Sequence, residues 1–191
     1  MTRLILLDRD GVINQDSDEF VKTVDEFLPI AGSIETIARL HQAGLMVGVC
    51  SNQSGVGRGL LTEAMLGAIH NRLRTLVEEA GGQLVGIAYC PHLPEEHCSC
   101  RKPEPGLLLE LMAGSGVQAI ETVFVGDSLR DVEAAIAAGC RAVLVRTGNG
   151  RKSEAAVRAL GINEVHDSLN AFGKAELERL RGRQGLVGDE A

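Results

Sequence analysis

Short apolar runs alternate along this chain with longer segments in which apolar residues recur at helical spacing. The runs predict five strands and a weaker sixth, at 3–8, 45–51, 84–90, 122–127, 142–146 and 163–166. The longer segments predict helices at 32–43, 61–80, 105–114, 129–139, 151–160 and 168–181. Strands and helices therefore follow one another in regular succession over most of the chain.

This succession predicts an α/β fold with a three-layer, Rossmann-like arrangement, in which helices flank both faces of a parallel sheet. Nothing between the elements resembles a linker that would separate two folding units. We therefore expect a single domain over residues 1–181. Periodicity is lost over residues 182–191, and there we expect a flexible tail.

Composition and charge narrow the function classes. The 191 residues are 45% hydrophobic and carry a formal net charge of −7, which argues against a nucleic-acid or anionic membrane partner. No apolar stretch approaches the length of a membrane span, and the first strand begins by Leu4, which leaves no room for a signal peptide. We expect a cytoplasmic protein and, because no apolar seam indicates a dimer, a monomer.

Polar residues stand where several predicted strands end. Asp8 and Asp10 follow the first strand, Ser51 and Asn52 close the second, and Asp127 closes the fourth. The carboxyl ends of parallel strands share one edge of a sheet, where ligands of open α/β sheets bind. Carboxylates gathered there need a cation, and so few oxygen ligands suit Mg²⁺. Taken singly, each residue could equally belong to a turn or a helix cap.

The order of these residues resembles that of the haloacid dehalogenase (HAD) superfamily of phosphatases. Four of its motifs match in register, namely DRDG at 8–11, Ser51-Asn52, Lys102 and GDSLRD at 126–131. The resemblance implies that Asp8 is the catalytic nucleophile and forms an aspartyl-phosphate, and that Asp10 acts as general acid and then as base. It also implies that Mg²⁺ is bound by Asp127, one oxygen of Asp8 and the backbone carbonyl of Asp10.

The resemblance gives the remaining motif residues roles around the phosphate. Ser51 and Asn52 would donate hydrogen bonds to the phosphoryl oxygens, and Lys102 would neutralise the charge gathered there. For Asp131 we favour a place on the helix surface or behind the ligands over direct metal ligation. The non-enzymatic alternatives are a phospho-receiver module, which would not need Asp10 as a proton donor, and an inactive binding module on the same scaffold.

Residues 90–100 read CPHLPEEHCSC, and we call them the cysteine loop. Their spacing, C-x-H-x5-C-x-C, predicts a structural zinc site with the ligands Cys90, His92, Cys98 and Cys100. His97 is the rival histidine, but its place next to Cys98 strains simultaneous ligation. A loop whose thiols bind nothing is the other alternative. Cys50 and Cys140 lie in apolar patterns and are predicted to be core residues.

The motif spacing leaves little chain for a separate cap domain, so loops must recognise the substrate. Two families of the superfamily carry such a zinc loop, the heptose bisphosphate phosphatases and the histidinol phosphatases. NQSGVGRG at 52–59 and CRKPEPG at 100–106 are similar to the first family. That likeness implies a phosphorylated sugar that loses its 7-phosphate and keeps its 1-phosphate, to which Arg58 and Arg101 could bind.

Two features depart from that family's pattern. Ser128 follows Asp127 where some heptose enzymes have lysine, and the acidic run QDSDE at 15–19 is one residue longer. The expected substrate-binding residues are Asp16, Ser51, Asn52, Gln53, Ser54, Arg58, Arg101, Lys102 and Ser128.

Overall fold

Six parallel strands form one sheet in the order β3-β2-β1-β4-β5-β6 in a computed structural model that describes residues 1–185. The strands are β1 (Leu4–Leu7), β2 (Met46–Asn52), β3 (Gly86–Cys90), β4 (Thr122–Gly126), β5 (Arg141–Val145) and β6 (Val165–His166). All six correspond to predicted strands. The α/β fold with a parallel sheet is therefore confirmed.

Seven α-helices connect or follow the strands. They are α1 (Ser33–Gln42), α2 (Ser54–Gly57), α3 (Glu63–Glu79), α4 (Gly106–Ser115), α5 (Leu129–Ala138), α6 (Gly150–Ala159) and α7 (Leu169–Gly185). The sequence did not predict α2 or the 3-10 helices Pro94–Glu96 and Ala119–Glu121, because such short elements show no periodicity. Residues 182–185 belong to α7, so the predicted tail began too early; its remainder, 186–191, lies outside the described residues.

Alternate residues of each central strand pack into opposite helical layers. Ile5 and Leu7 of β1 contact the layer of α1, α3 and α7, whereas Leu4 and Leu6 contact the layer of α4, α5 and α6. All four side chains are fully buried. A central strand covered on both faces has no polar side, which explains why β1 reads as an unbroken apolar run.

The order of the strands determines where the site lies. The chain moves from β1 outward to β2 and β3, then returns past β1 to β4 and continues to β5 and β6. The crossovers therefore diverge between β1 and β4, and the carboxyl ends of such neighbours frame a crevice. No cap domain covers this edge in the part of the chain that the structure describes. Within residues 1–185, no helix combines the length and hydropathy needed to cross a bilayer.

Candidate active site

The segment after β1 is a tight, hydrogen-bonded loop. The Asp8 N–H still donates to the Val125 carbonyl of β4 at 2.9 Å, which extends the sheet pairing to the nucleophile candidate. The Arg9 carbonyl accepts from Ile13 and Asn14 at 2.8 and 3.1 Å, and this closes the turn. The backbone of Asp8 is therefore fixed by the sheet on one side and by the turn on the other.

Lys102 lies at the centre of the site, although its side chain is only 2% exposed. Its Nζ contacts Asp8 Oδ1 at 2.9 Å and Asp131 Oδ1 at 2.7 Å and donates to the Cys50 carbonyl at 2.9 Å. The Phe124 ring lies beneath it, with its centroid 5.2 Å from Nζ. A buried ammonium with three oxygen partners uses its full donor capacity, so Lys102 is held in one position.

The carboxyl groups differ in how their charge is supported. Burial raises the pKa of Asp8 well above its ordinary value, opposed by Lys102 and reinforced by Asp131 and Asp127. Burial and then Asp131 raise the pKa of Asp127 to about 7. Asp131 is equally buried, yet the charge and hydrogen bond of Lys102 hold its pKa below the ordinary value. Asp131 is therefore the permanent partner of the lysine, whereas Asp8 and Asp127 lack sufficient positive charge.

Asp8, Asp127 and Asp131, which we call the carboxylate cluster, each place an oxygen within 4.8 Å of the others. This set of hard oxygen donors fits Mg²⁺. Asp131 is the poorer ligand of the three, because one of its oxygens pairs with Lys102 and the other accepts from Ser128 Oγ at 2.6 Å. This arrangement agrees with the interpretation of Asp131 as a residue behind the ligands.

Asp127 lies in a cradle that only glycines allow. Its Oδ2 accepts from the Asn149 N–H at 2.7 Å, and a Cβ at Gly11 or at Gly148 would collide with that same oxygen. Both glycines also adopt left-handed backbone angles, with φ of +79° and +54°. Two backbone segments can therefore close around Asp127 only because neither carries a side chain.

The carboxylate of Asp10 is surrounded by donors. Arg9 donates from Nη2 to both oxygens at 2.9 Å and from Nε to Oδ1 at 3.2 Å. Asn14 Nδ2 reaches Oδ1 and Gln53 Nε2 reaches Oδ2, each at 2.8 Å. The predicted acid-base residue is thus held from three directions, and Gln53 links it to Ser51 Oγ, also at 2.8 Å.

Asn52 has a role that the sequence did not predict. Its Nδ2 donates to the Lys102 carbonyl and its Oδ1 accepts from the Lys102 N–H, both at 3.0 Å. The Asn52 side chain was expected to contact phosphate. In the structure it instead makes two hydrogen bonds to the backbone of Lys102, 50 residues further along the chain. Asn52 still lines the cavity above the carboxylate cluster.

The remaining predicted substrate residues divide into two groups. Asp16, Ser54, Arg101 and Ser128 line the same cavity. Arg58 is not among the residues that line this cavity. It follows α2 as the C-cap residue, and it is exposed. That Arg58 contacts the substrate stays a prediction; its charge contributes, after burial, to lowering the pKa of Arg101, which lines the cavity.

The cysteine loop brings its predicted ligands together. Cys98 Sγ lies 3.5 Å from Cys90 Sγ and 3.4 Å from Cys100 Sγ. His92 Nδ1 lies 3.5 and 3.3 Å from the sulfurs of Cys90 and Cys100. A tetrahedral zinc ion with bonds of about 2.3 Å to sulfur separates its ligand atoms by roughly 3.5–3.8 Å. The donor set and its spacing therefore fit zinc, whereas His97 lies outside this group.

Comparison with known proteins agrees with this geometry. Residues 99–172 match the family described as HAD-hydrolase-like. The chain is 54% identical over 158 residues to the D-glycero-beta-D-manno-heptose-1,7-bisphosphate 7-phosphatase of Pseudomonas aeruginosa, covering 83% of this chain and 85% of that one. It is 50% identical over 151 residues to the enzyme of that name from Neisseria meningitidis, covering 79% and 81%. The chain belongs to the heptose bisphosphate phosphatase family of HAD-like hydrolases.

A solved member of the heptose bisphosphate phosphatase family has the same fold. The D,D-heptose 1,7-bisphosphate phosphatase of B. bronchiseptica, complexed with magnesium and phosphate, superimposes with a TM-score of 0.89 at 44% identity. The alignment covers 93% of this chain and 99% of that chain. The likeness therefore extends over most of the chain.

Sequence reasoning missed two residues of this chain that the structure places at the site. Arg130 lines the cavity beside Arg101, and Asn149 holds both Asp127 and, through Nδ2 at 2.9 Å, Asp16. Arg130 lies two residues beyond Ser128 in a motif that the sequence analysis did consider, so helical geometry could have placed it. Nothing in the sequence near Asn149 signals its role. Its N–H reaches Asp127 only because Gly148 lets the folded backbone pass close to that carboxylate.

Proposed function

We propose that this chain is a Mg²⁺-dependent phosphatase that removes the 7-phosphate of D-glycero-D-manno-heptose 1,7-bisphosphate, a step in ADP-heptose and lipopolysaccharide precursor synthesis. The observation that carries the proposal is the buried Lys102, which bridges Asp8 and Asp131 at the switch point of the sheet. Relatives at 50–54% identity that bear this enzyme name support the choice of substrate.

Asp8 attacks phosphorus in the first step. The Asp8 Oδ1 accepts from the Arg9 N–H at 2.7 Å and from Lys102 at 2.9 Å, so the carboxylate is oriented before substrate binds. A bond forms between an Asp8 oxygen and phosphorus while the bond from phosphorus to the sugar oxygen breaks. Lys102 remains beside the charge that gathers on the phosphoryl oxygens, and such fixed charge supplies much of the rate of phosphoryl transfer.

Asp10 moves the protons. In the first half-reaction its carboxyl proton goes to the departing sugar oxygen, which leaves as the alcohol. In the second half-reaction the resulting carboxylate takes a proton from a water molecule, which attacks the aspartyl-phosphate and releases inorganic phosphate and Asp8. The donors around Asp10 all suit the ionised carboxylate, which is the form that acts as base.

Mg²⁺, when bound, supplies positive charge that screens the nucleophile from the incoming phosphate. We propose that Asp8 and Asp127 hold it, together with the backbone carbonyl of Asp10. The cradle of Gly11 and Gly148 around Asp127 keeps that carboxylate in place. The raised pKa values of Asp8 and Asp127 also fit a site whose negative charge a cation is meant to offset.

Arg101 and Arg130 are the groups we propose for the retained 1-phosphate. Both line the active-site cavity and the adjoining cleft beside the cysteine loop. Burial and then the charge of Arg130 lower the pKa of Arg101, so the two guanidinium groups are close enough to repel. A doubly charged phosphate relieves that repulsion and offers each arginine a bidentate partner. A cationic substrate such as histidinol phosphate would meet like charge here.

We propose that Cys90, His92, Cys98 and Cys100 bind a structural zinc ion, since protein ligands fill all four positions. Arg101 follows the last ligand directly and donates to the His92 carbonyl at 3.2 Å, so the same clip would position the arginine. All five cysteines are free thiols, and thiol ligands need a reducing compartment. This supports a cytoplasmic enzyme, which we expect to act as a monomer.

The test is release of inorganic phosphate from heptose 1,7-bisphosphate with Mg²⁺ present, with histidinol phosphate assayed in parallel. We expect multiple turnovers on the bisphosphate, a strong preference over histidinol phosphate, and loss of turnover in Asp8→Asn. A preference for histidinol phosphate would overturn the substrate and leave the mechanism standing. Undiminished turnover by Asp8→Asn would overturn the mechanism.

A further inference from the structure

Arg9 is a fully buried arginine that lies between Asp10 and a histidine on α3. Its Nε and Nη2 donate to Asp10, while its Nη1 lies 3.4 Å from His70 Nε2. The residue is 0% exposed, so its remaining donors cannot turn to bulk water. A buried guanidinium that loses an acceptor is costly, because an unpaired buried charge is poorly solvated.

His70 can serve as that acceptor only while uncharged. It is 5% exposed, and burial first, then the charges of Arg9 and Arg74, lower its pKa to about 3. The neutral ring therefore presents a lone pair on Nε2 to Arg9 and carries its proton on Nδ1. The Tyr89 ring of β3 packs against it with centroids 5.6 Å apart, which limits the ring's rotation.

His70 supports Asp10 through Arg9, and it differs from the residues that contact the Asp10 carboxylate directly. Asn14 and Gln53 reach the carboxylate from loop positions. His70 instead projects from the buried face of α3, a 17-residue helix whose Leu66, Ile69 and Leu73 pack into the core beside it. A helix packed into the core holds a side chain more rigidly than a loop does.

We propose that His70 is a positioning residue for the phosphatase reaction: by accepting from Arg9, it fixes the arginine that orients the Asp10 carboxyl toward the leaving oxygen. The inference rests on the proposed function, because it assigns Asp10 the proton transfer. It adds a residue 60 positions from that aspartate which touches neither substrate nor metal. Its effect should therefore be confined to steps in which Asp10 donates or takes a proton.

The test compares His70→Leu with His70→Gln on two substrates. An alkyl phosphate such as heptose 1,7-bisphosphate needs a proton on its leaving oxygen, whereas p-nitrophenyl phosphate releases a stable phenolate. In His70→Leu we expect kcat/KM to fall about 10-fold on the sugar and less than about 2-fold on the aryl phosphate, since positioned acid catalysis is worth about 10²–10⁴ in full. His70→Gln offers Arg9 an amide oxygen and should recover most of the loss.

Leu73→Ala is the matched control, because it removes packing from the same face of α3 without touching Arg9. It should lower the melting temperature and leave the ratio of the two kcat/KM values unchanged. Equal losses on both substrates in His70→Leu, or no recovery in His70→Gln, would overturn the positioning role. Neither result would affect the proposed function, which fails instead if Asp8→Asn retains turnover.

Discussion

The carboxylate cluster and the cysteine loop are neighbours, since Lys102, which contacts the cluster, lies two residues beyond Cys100 in the chain, yet the two regions are held together differently. In the cluster, Lys102 joins Asp8 and Asp131, and Asn52 clamps the backbone of that lysine. The cluster is thus ordered by protein groups before any ligand arrives.

The cysteine loop has no comparable internal support. Apart from Cys90, which ends β3, its one regular element is the 3-10 helix Pro94–Glu96, and residues 94–97 are exposed. Its order depends on four side chains that point at one another and carry no opposite charge. The comparison teaches that two proposed metal sites in one chain can depend on protein contacts to different degrees. We expect the cluster to survive metal removal and the loop to need it.

Breaking the cluster should have the largest effect. Lys102→Met keeps the length of the side chain and removes its charge, which leaves Asp8 and Asp131 unneutralised in a buried site. We expect turnover to fall by at least about 10³-fold and stability to fall by about 3–5 kcal/mol, measured by phosphate release and by urea unfolding. The control is Lys152→Met on the exposed face of α6, which should change neither. A Lys102→Met enzyme with near-normal turnover would contradict the central role of the lysine.

Breaking the loop should act on the site indirectly. Cys98→Ser replaces one proposed thiolate ligand, and we expect zinc content to drop and turnover to fall about 10–100-fold, because Arg101 loses its fixed position beside the His92 carbonyl. Metal analysis and phosphate release on the same preparation check this, and Cys140→Ala, in the core, should keep its zinc. Loss of zinc without loss of activity would show that the loop does not position Arg101.

The same difference explains what the sequence could predict. The strands and their polar ends were predictable because β1 and β4 are buried on both faces and read as apolar runs. The cysteine ligands were predictable because metal spacing is local. Asp127's cradle was not, because Gly11 and Gly148 meet only after folding.

Short elements and long-range pairs mark the limit of sequence reasoning. The helix α2, which precedes Arg58, was not predicted, because four residues are too few to show a helical period. His70 reads as one polar position on an apolar helix face, where a buried structural histidine is the ordinary interpretation. Only its approach to Arg9 at 3.4 Å distinguishes it.

Arg130 lies where the two regions meet, because it lines both the active-site cavity and the cleft beside the cysteine loop. We expect Arg130→Ala to raise KM for heptose 1,7-bisphosphate about 10-fold, the worth of one charge-assisted contact, with kcat nearly unchanged. A heptose 7-phosphate that lacks the 1-phosphate should show no such change. Arg58→Ala should leave both substrates within about 2-fold; the reverse pattern would return the retained phosphate to Arg58.

The smallest expected effect concerns His70. It tests whether the hydrogen-bonded network of Asp10 and Arg9 extends to this histidine. Burial, and then the charges of Arg9 and Arg74, lower the pKa of His70 from its ordinary 6.5 to about 3, so between these values the unfolded chain binds the proton. His70 therefore contributes stability that is complete above about pH 6.5 and is lost as the pH falls toward 3. His70→Gln lacks this titration, whereas Asp8 and Asp127 titrate in both proteins and cancel in the comparison. We expect the melting temperature of the native protein to fall by about 5 °C more than that of His70→Gln between pH 7 and pH 5, measured by circular dichroism. Parallel curves would mean that His70 is not held neutral, and the network would then end at Arg9.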